Sequence, residues 1–300
     1  MTHSVLMGDP AHFSVVGGAN PHTRDRWGQR KSVDHTLAIQ QWNRMRETLE
    51  ELGLRVIVVP PDPAHPGLVY PANAGFRIAN EFVLSHLTPT RADELPAYET
   101  AVSALGLRTH RVDARFEGEA DLFPAGEFYL FTHGTIRKQR FVPRLGWPPW
   151  KRVYGFRSDP AVLAEIDAIH PLDRIVQRVE LIDERYYHGD TCLCSFGSGR
   201  AHLMVYASVI HPSALSVLEK SFGDRLVGLG EDDAAIYAAN SFAFERDGEP
   251  HLVMPHGISA RLSDEIRDHG VQVITVDVSE FYKKGGGSVK CMIGDLGEIS

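Results

Sequence analysis

Five times along the chain an amphipathic helical stretch ends near a glycine or proline, a short β-rich run follows, and a polar loop comes next. The stretches are LEELG-LRVIVV (49–59), VSALG-LRTHRV (102–112), AEIDAIHPLD-RIVQRVEL (164–181), LEKSFGD-RLVGL (218–229) and EIRDHG-VQVITVDV (265–278). Four helices stop at Gly53, Gly106, Gly223 and Gly270, where a left-handed residue closes a helix cheaply. The third stops at His170-Pro171. The stops fall between 47 and 65 residues apart, a period suited to a radial or stacked repeat fold. The loops that follow carry Asn73, Glu117, His188, Asn240 and Cys291, so equivalent ends of equivalent modules can deliver a thiol, an imidazole and a carboxylate to one place.

Composition narrows the partners. The formal charge is −8 and the pI near 6.0, which argues against nucleic acid or an anionic membrane as main partner. No window of eighteen apolar residues occurs, and the first residues lack the pattern of a secretory signal. The cysteines (192, 194 and 291) make no disulfide framework, so a reduced, cytoplasmic protein is the simplest reading. A homo-oligomer stays open. With no low-complexity segment and no place to cut the chain, residues 1–300 read as one domain.

Local patterns set the expected elements. Val5–Met7 reads as the first strand, followed by a loop from Gly8 to Lys31 that contains Gly17-Gly18-Ala19-Asn20-Pro21. A helix over 34–52, started by Ser32 or Asp34, buries Leu37, Met45, Leu49 and Leu52, with Trp42 flanking. Phe128–Phe131, Val153–Phe156, Leu203–Tyr206 and Leu252–Met254 read as strands, and Arg157-Ser158-Asp159-Pro160 opens a helix. Residues 133–151 are basic and proline-rich, with Trp147 and Trp150 among them, and read as an inserted surface loop or lid.

Several residues can carry chemistry. Cys291 follows Gly285-Gly286-Gly287, which lets the backbone approach a ligand and exposes amide N–H groups. Those amides, with Lys290 beside them, can lower a thiol pKa and give a nucleophile. The alternatives are a flexible tail, disfavoured because Val289, Met292 and Ile293 look like a strand returning to the core, and a phosphate loop, whose Gly-Lys-Ser/Thr spacing is missing. His188 and Asp190 are two apart and share a face in extended chain, so the carboxylate can fix the imidazole tautomer; a structural histidine is the bland reading. Glu117, Glu119 and Asp121 place three carboxylates in five residues, which implies a cationic partner or else a solvated acidic turn. Cys192 and Cys194 fit core packing better than a soft-metal site with His188. Asn73 and Asn240 alone read as turn chemistry.

Taken in order and spacing, these strings resemble the guanidine-modifying superfamily of arginine deiminases, dimethylarginine dimethylaminohydrolases, glycine amidinotransferases and arginine dihydrolases. The resemblance rests on Asp9-Pro10-Ala11-His12-Phe13, Asn20-Pro21, Ala72-Asn73-Ala74-Gly75, Glu117-Gly118-Glu119-Ala120-Asp121, Gly155-Phe156-Arg157-Ser158, Tyr187-His188-Gly189-Asp190-Thr191 and Gly286-Gly287-Ser288-Val289-Lys290-Cys291. It covers nearly the whole chain and is closest to the dimethylargininase-like and arginine dihydrolase branch. It implies an α/β fold, a five-bladed pseudo-symmetric α/β propeller (pentein) of ββαβ modules. It implies Cys291 as nucleophile, His188 as acid and base, and Glu117 as the carboxylate holding a guanidinium. Asp190 and Asp121 would support them, and Asn73, Asn20, Arg157 and Asn240 would lie near the substrate. Asn73 stands where deiminases carry an aspartate, Gly189 where leucine is commoner, and the 133–151 insertion is longer than usual.

The implied reaction is hydrolysis at the guanidino carbon of arginine or a relative through a covalent S-alkylthiouronium, with no metal and no organic cofactor. Transfer of the amidino group to an amine is the alternative within the fold. A non-catalytic guanidine binder is the alternative outside it, disfavoured because Cys291, His188, Glu117 and Asp190 are all present.

Overall fold

The structure, a computed structural model, describes residues 2–15, 20–25, 27–147 and 149–299; the Gly17-Gly18-Ala19 stretch of the expected loop lies outside them. Mixed α/β architecture is built from three-stranded sheets that repeat one plan five times. The first sheet takes β1 (Thr2–Gly8), α1 (His35–Glu51) and β2 (Arg55–Val59). The second takes β3 (Gly75–Ile78), β4 (Glu81–Leu84), α2 (Leu95–Ser103) and β5 (Arg108–His110). β6 (Leu122–Ala125) and β7 (Phe128–His133) start the third. The extra strands β8 (Arg140–Pro143) and β9 (Trp150–Val153) come before its α3 (Val162–Ile169) and β10 (Ile175–Glu180). The fourth holds β11 (Leu193–Phe196), β12 (His202–Val205), α4 (Pro212–Phe222) and β13 (Leu226–Gly228). After the short α5 (Glu231–Ala235), the fifth holds β14 (Phe242–Arg246), β15 (Glu249–Pro255), α6 (Ala260–Asp268) and β16 (Gln272–Val276). Finally α7 (Ser279–Gly285) leads to β17 (Gly294–Ile299), which returns to the first sheet.

In every sheet the middle strand pairs antiparallel with one neighbour and parallel with the other, the parallel partner arriving through a helix. A parallel connection needs such a crossover, whereas the antiparallel pair closes through a short turn in four of the five sheets; in the first, β1 takes the distant β17. The glycine stops behave as expected: Gly53, Gly106, Gly223 and Gly270 all have positive φ, at +82°, +81°, +53° and +75°. Asp34 is the cap of α1, accepting the Leu37 N–H at 3.0 Å. That helix buries Ala38, Trp42, Met45 and Leu49, a 3.6-residue stripe packed against β1, β2 and β16. Each such large side chain contributes roughly 1.5–3 kcal/mol of burial, and truncating Met45 to alanine costs about 2–5 kcal/mol.

Some expectations change. Trp42 is in the core rather than beside it, and Leu37 is only half-buried. The strand expected at Val153–Phe156 ends at Val153; Tyr154 and Gly155 instead give their backbone N–H groups to the Glu184 carboxylate, at 3.0 and 3.2 Å. Val289–Ile293 is a buried turn, and strand pairing resumes only at Gly294. The 133–151 insertion is a two-stranded ribbon, β8 with β9, outside the five sheets.

Candidate active site

Each of the five chemically capable residues sits in the turn that enters the antiparallel edge strand of a sheet. Asn73, Glu117 and His188 belong to or flank single 3₁₀ turns (Pro71–Asn73, Gly118–Ala120 and Gly189–Thr191) just before β3, β6 and β11. Asn240 precedes β14, and Cys291 lies in the turn before β17. All five are buried. Buried turns leave backbone groups without ladder partners, so neighbouring turns must satisfy one another. They do. Asn240 Oδ1 accepts the N–H groups of Ser288 and Cys291, each at 3.0 Å, and its backbone carbonyl accepts that of Lys290 at 3.0 Å. Asn73 Nδ2 donates to the Glu117 carbonyl at 3.4 Å. Gly118, at φ +68°, permits a close approach: a Cβ there would stand 2.6 Å from the Gly75 carbonyl oxygen.

The same bend separates the three acids of Glu117–Asp121. Glu117 Oε2 accepts His188 Nε2–H at 2.7 Å. Glu119 turns toward Lys290 Nζ, 2.6 Å away. Asp121 accepts Thr132 Oγ1–H at 2.5 Å, Ser158 Oγ–H at 2.7 Å and the Gly189 N–H at 3.1 Å, which supports the His188 turn from below. The cation demanded by clustered acids is therefore partly internal.

Two expectations about the thiol and imidazole are corrected. Asp190 does not hydrogen-bond His188; its Oδ2 accepts the Cys291 thiol at 3.3 Å, while Glu117 fixes the imidazole. Nor is the thiol acidified. Burial, and then the charge of Asp190, push Cys291 well above the ordinary thiol range, against the Asn240 amide that lies 3.2 Å from its sulfur. Lys290 directs its ammonium to Glu119 and the Ile293 carbonyl instead. His188 is shifted up: burial lowers it, but the charges of Asp121, Glu117 and Asp190 prevail. Glu117 is held low, His188, Arg157 and Arg91 outweighing burial. Burial raises Asp190 to about 6.

A cavity of about 440 Å³ opens onto Cys291, with Asn73, Asn20, Tyr70, Tyr187 and Arg91 in its wall. Asn20 Nδ2 donates to Tyr187 Oη (3.1 Å) and the Gly285 carbonyl (2.8 Å), strapping the N-terminal loop across the glycine run. The Arg157 guanidinium lies 5.0 Å from the centre of the Tyr187 ring. Sequence reading missed Arg91 and Glu94. Arg91 Nη1 donates to Asn73 Oδ1 at 2.7 Å, and its Nε and Nη2 hold the Glu94 carboxylate. Because arginine has no acceptor, the Asn73 atom facing it must be the oxygen. The signal available was an Arg and a Glu three apart, a spacing that joins them on one helical turn. Cys192 and Cys194 pack in the core, each thiol 3.5 Å from a carbonyl oxygen, of Gly189 and Ser241 respectively.

A buried thiol between an amide and a carboxylate in the wall of a cavity, and a carboxylate-held imidazole in another of the repeated strand-entry turns, define a cysteine-dependent enzyme for small polar substrates. A family model described as "N,N dimethylarginine dimethylhydrolase, eukaryotic" matches residues 154–297. N(G),N(G)-dimethylarginine dimethylaminohydrolase of Mycobacterium tuberculosis is 31% identical over 97% of this chain and 84% of its own. The chain belongs to the dimethylarginine dimethylaminohydrolase family. The bifunctional arginine dihydrolase/ornithine cyclodeaminase AgrE of a Nostoc species is 29% identical over 96% of this chain, which spans 37% of that longer protein. Among solved structures, the N-terminal domain of ArgZ with product bound, described as a cyanobacterial arginine dihydrolase, superposes with a TM-score of 0.83 at 25% identity, over 99% of this chain and 98% of that one. No helix among the described residues is long and apolar enough to cross a membrane.

Proposed function

We propose that this protein is a cysteine-dependent hydrolase of the guanidino carbon in arginine or a close relative, working through a covalent thiouronium. The observation carrying this reading is the pairing of Cys291 with Asp190 and Asn240 in the wall of a cavity of about 440 Å³, with His188 held by Glu117 and sensing the charge of the same Asp190. The modules are the blades of a single five-bladed propeller, and their strand-entry turns ring its axis.

The chemistry follows from charge. A guanidinium is a poor electrophile because its charge spreads over three nitrogens; carboxylates bonded to its N–H groups fix its plane and keep it protonated. Glu117 and Asp190 are those carboxylates, with Asp121 bracing both turns. Burial and the Asp190 charge disfavour the thiolate, so the arriving cation supplies the missing positive charge and favours it; Asp190, already bonded to the thiol, accepts its proton. Sulfur bonds to the guanidino carbon, and the C–N bond breaks as His188⁺ protonates the departing nitrogen. Neutral His188 then takes a proton from water, whose oxygen attacks the thiouronium and expels the Cys291 sulfur. Asn240 stabilises that sulfur in both steps, while Asn20 and Arg157 order the rim around Tyr187.

Asn73 bears on the product. Its oxygen is held by Arg91 and one of its N–H groups by the Glu117 carbonyl, so what it has left for a ligand is its second N–H. Donors suit a ureido oxygen better than a guanidinium nitrogen. That favours a second hydrolysis, from citrulline to ornithine. Incubating the protein with a panel of guanidines, with and without amine acceptors, and weighing the small products tests the whole reading. Arginine-type substrates should give ornithine with two ammonia per turnover, and Asn73→Asp should shift the product toward citrulline. Citrulline accumulating with one ammonia would remove the dihydrolase reading, amidino transfer to an added amine would replace hydrolysis, and no turnover of any guanidine would remove the enzyme.

A further inference from the structure

The carboxylate left without a part in this chemistry is Glu119, and the cation left without one is Lys290. Both are substantially buried, Lys290 being 8% exposed, and each costs free energy in the interior unless paired. They pair with each other, Nζ to Oε1, at 2.6 Å. The same Glu119 oxygen accepts the Asp295 N–H at 2.6 Å, while Lys290 Nζ donates to the Ile293 carbonyl at 3.1 Å and lies 5.8 Å from the centre of the Phe242 ring. Asp295 in turn holds His3 Nε2 at 2.7 Å and Arg200 Nη2 at 3.0 Å. A chain of charges thus runs from the half-buried edge of β1 and β17 to the back of the turn that presents the nucleophile.

That turn is clamped from two sides. Asn240 takes the amides of Ser288, Lys290 and Cys291 on the pocket side. On the far side the Lys290 side chain folds back on Ile293 and ties the turn to Glu119, in the same segment as Glu117. Burial raises the Glu119 carboxyl to about 7 against the pull of Lys290, and the Lys290 charge also steadies Asp190, the partner of the thiol.

We propose that Lys290 and Glu119 are a positioning pair for Cys291: Glu119 holds the Lys290 side chain against the turn, so that the pair sets where the sulfur stands and the ammonium sets the field behind it. The pair rests on the reading of Cys291 as nucleophile but not on the identity of the guanidine. The charged and titratable groups around the thiol are Asp190, Tyr70, Tyr187 and Tyr237, with Lys290 behind; those around Lys290 are Glu119, Asp295, Asp190 and Cys194.

The test compares wild type, Lys290→Arg, Lys290→Met and the double variant Lys290→Met/Glu119→Leu, which leaves no lone buried charge. One readout is the pH dependence of iodoacetamide alkylation at Cys291, followed by mass spectrometry of its peptide, which needs no substrate. The other is kcat and KM on whichever guanidine the wild type turns over. Removing the ammonium should move the alkylation midpoint by about one pH unit and lower kcat about tenfold with KM nearly unchanged, and Lys290→Arg should restore both. If Lys290→Met fails to fold, the double variant decides. A folded double variant with the wild-type alkylation profile overturns the proposal, even where kcat has fallen, since a purely structural brace would do that. A shifted profile in a protein that hydrolyses no guanidine would keep the positioning pair and remove the hydrolase reading.

Discussion

The turns around Cys291 and the β8–β9 ribbon draw on similar residues, arginines, lysines and aromatics, and treat them differently. At the centre Arg91 is tied to Glu94, Asn73 and the Gly67 carbonyl, and Lys290 to Glu119. In the ribbon Trp147 is 80% exposed and Leu145 entirely so, with Phe141 and Trp150 also largely in solvent. Its segment carries Arg137, Lys138, Arg140, Arg144, Lys151 and Arg152 and no acid. Packing there is local: the Arg152 guanidinium lies 5.7 Å from the Phe141 ring centre and 5.1 Å from that of Tyr154. A polar network in the interior demands a partner for each group, because an unpaired one costs about 1–3 kcal/mol, whereas water satisfies the ribbon. The centre should therefore be brittle to single atoms and the ribbon indifferent to whole side chains.

The sharpest break of that contrast is at the sulfur. Cys291→Ser should abolish turnover, a loss of roughly a thousandfold or more, with circular dichroism unchanged, because a hydroxyl supplies almost no anion at neutral pH. Ammonia release measures it, and near-normal activity would sink the mechanism. Acid-quenching the wild type with a slow substrate should in turn leave an adduct on the Cys291 peptide.

Next comes Glu117→Gln, which leaves His188 without its carboxylate and should lower kcat/KM by about 3 kcal/mol. Its stability cost should depend on pH in a defined way. The folded-state value of His188 is raised, so its contribution is complete below the ordinary imidazole pKa and fades as pH rises through the raised value. That of Glu117 is lowered, so its contribution is present above the ordinary carboxylate range and is lost as pH falls through the lowered value. Denaturant titrations of wild type and variant should differ most between those limits, and a constant difference would contradict the pairing.

Asn240→Ala should come third, at about 2 kcal/mol of stability, since two buried N–H groups lose their acceptor; a denaturation midpoint unchanged from wild type would mean the turn has other support. Smallest of all is the ribbon. Trp147→Ser should move stability by less than about 0.5 kcal/mol and leave kcat alone. A large fall in activity would show the ribbon closing over the pocket and would erase the contrast.

How much of this was legible follows the same division. The repeat, the glycine stops and the five loop residues are written in period and composition, because helix termination and strand entry are local decisions. Which carboxylate meets which partner was not. Glu117, Glu119 and Asp121 look equivalent in the string, and only the positive φ of Gly118 and the close approach of Gly75 send them three ways. Asp190 looked like the partner of His188 because two-residue spacing puts them on one face of a strand, but the Gly189–Thr191 turn is 3₁₀ and parts them. Arg91 was invisible because its role depends on Asn73, eighteen residues earlier, with β3 and β4 between them.

The return of β17 to β1 also sets a schedule for synthesis. Thr2 pairs with Ile299 and Leu6 with Gly294, so β1 waits for the last described strand before its sheet is complete. Cys291 and Lys290 arrive in that same closing stretch. Contacts so distant in sequence form slowly. A nascent chain therefore carries His188, Glu117 and Asp190 long before it carries Cys291, and the turn that holds the thiol waits for the first sheet to be sealed.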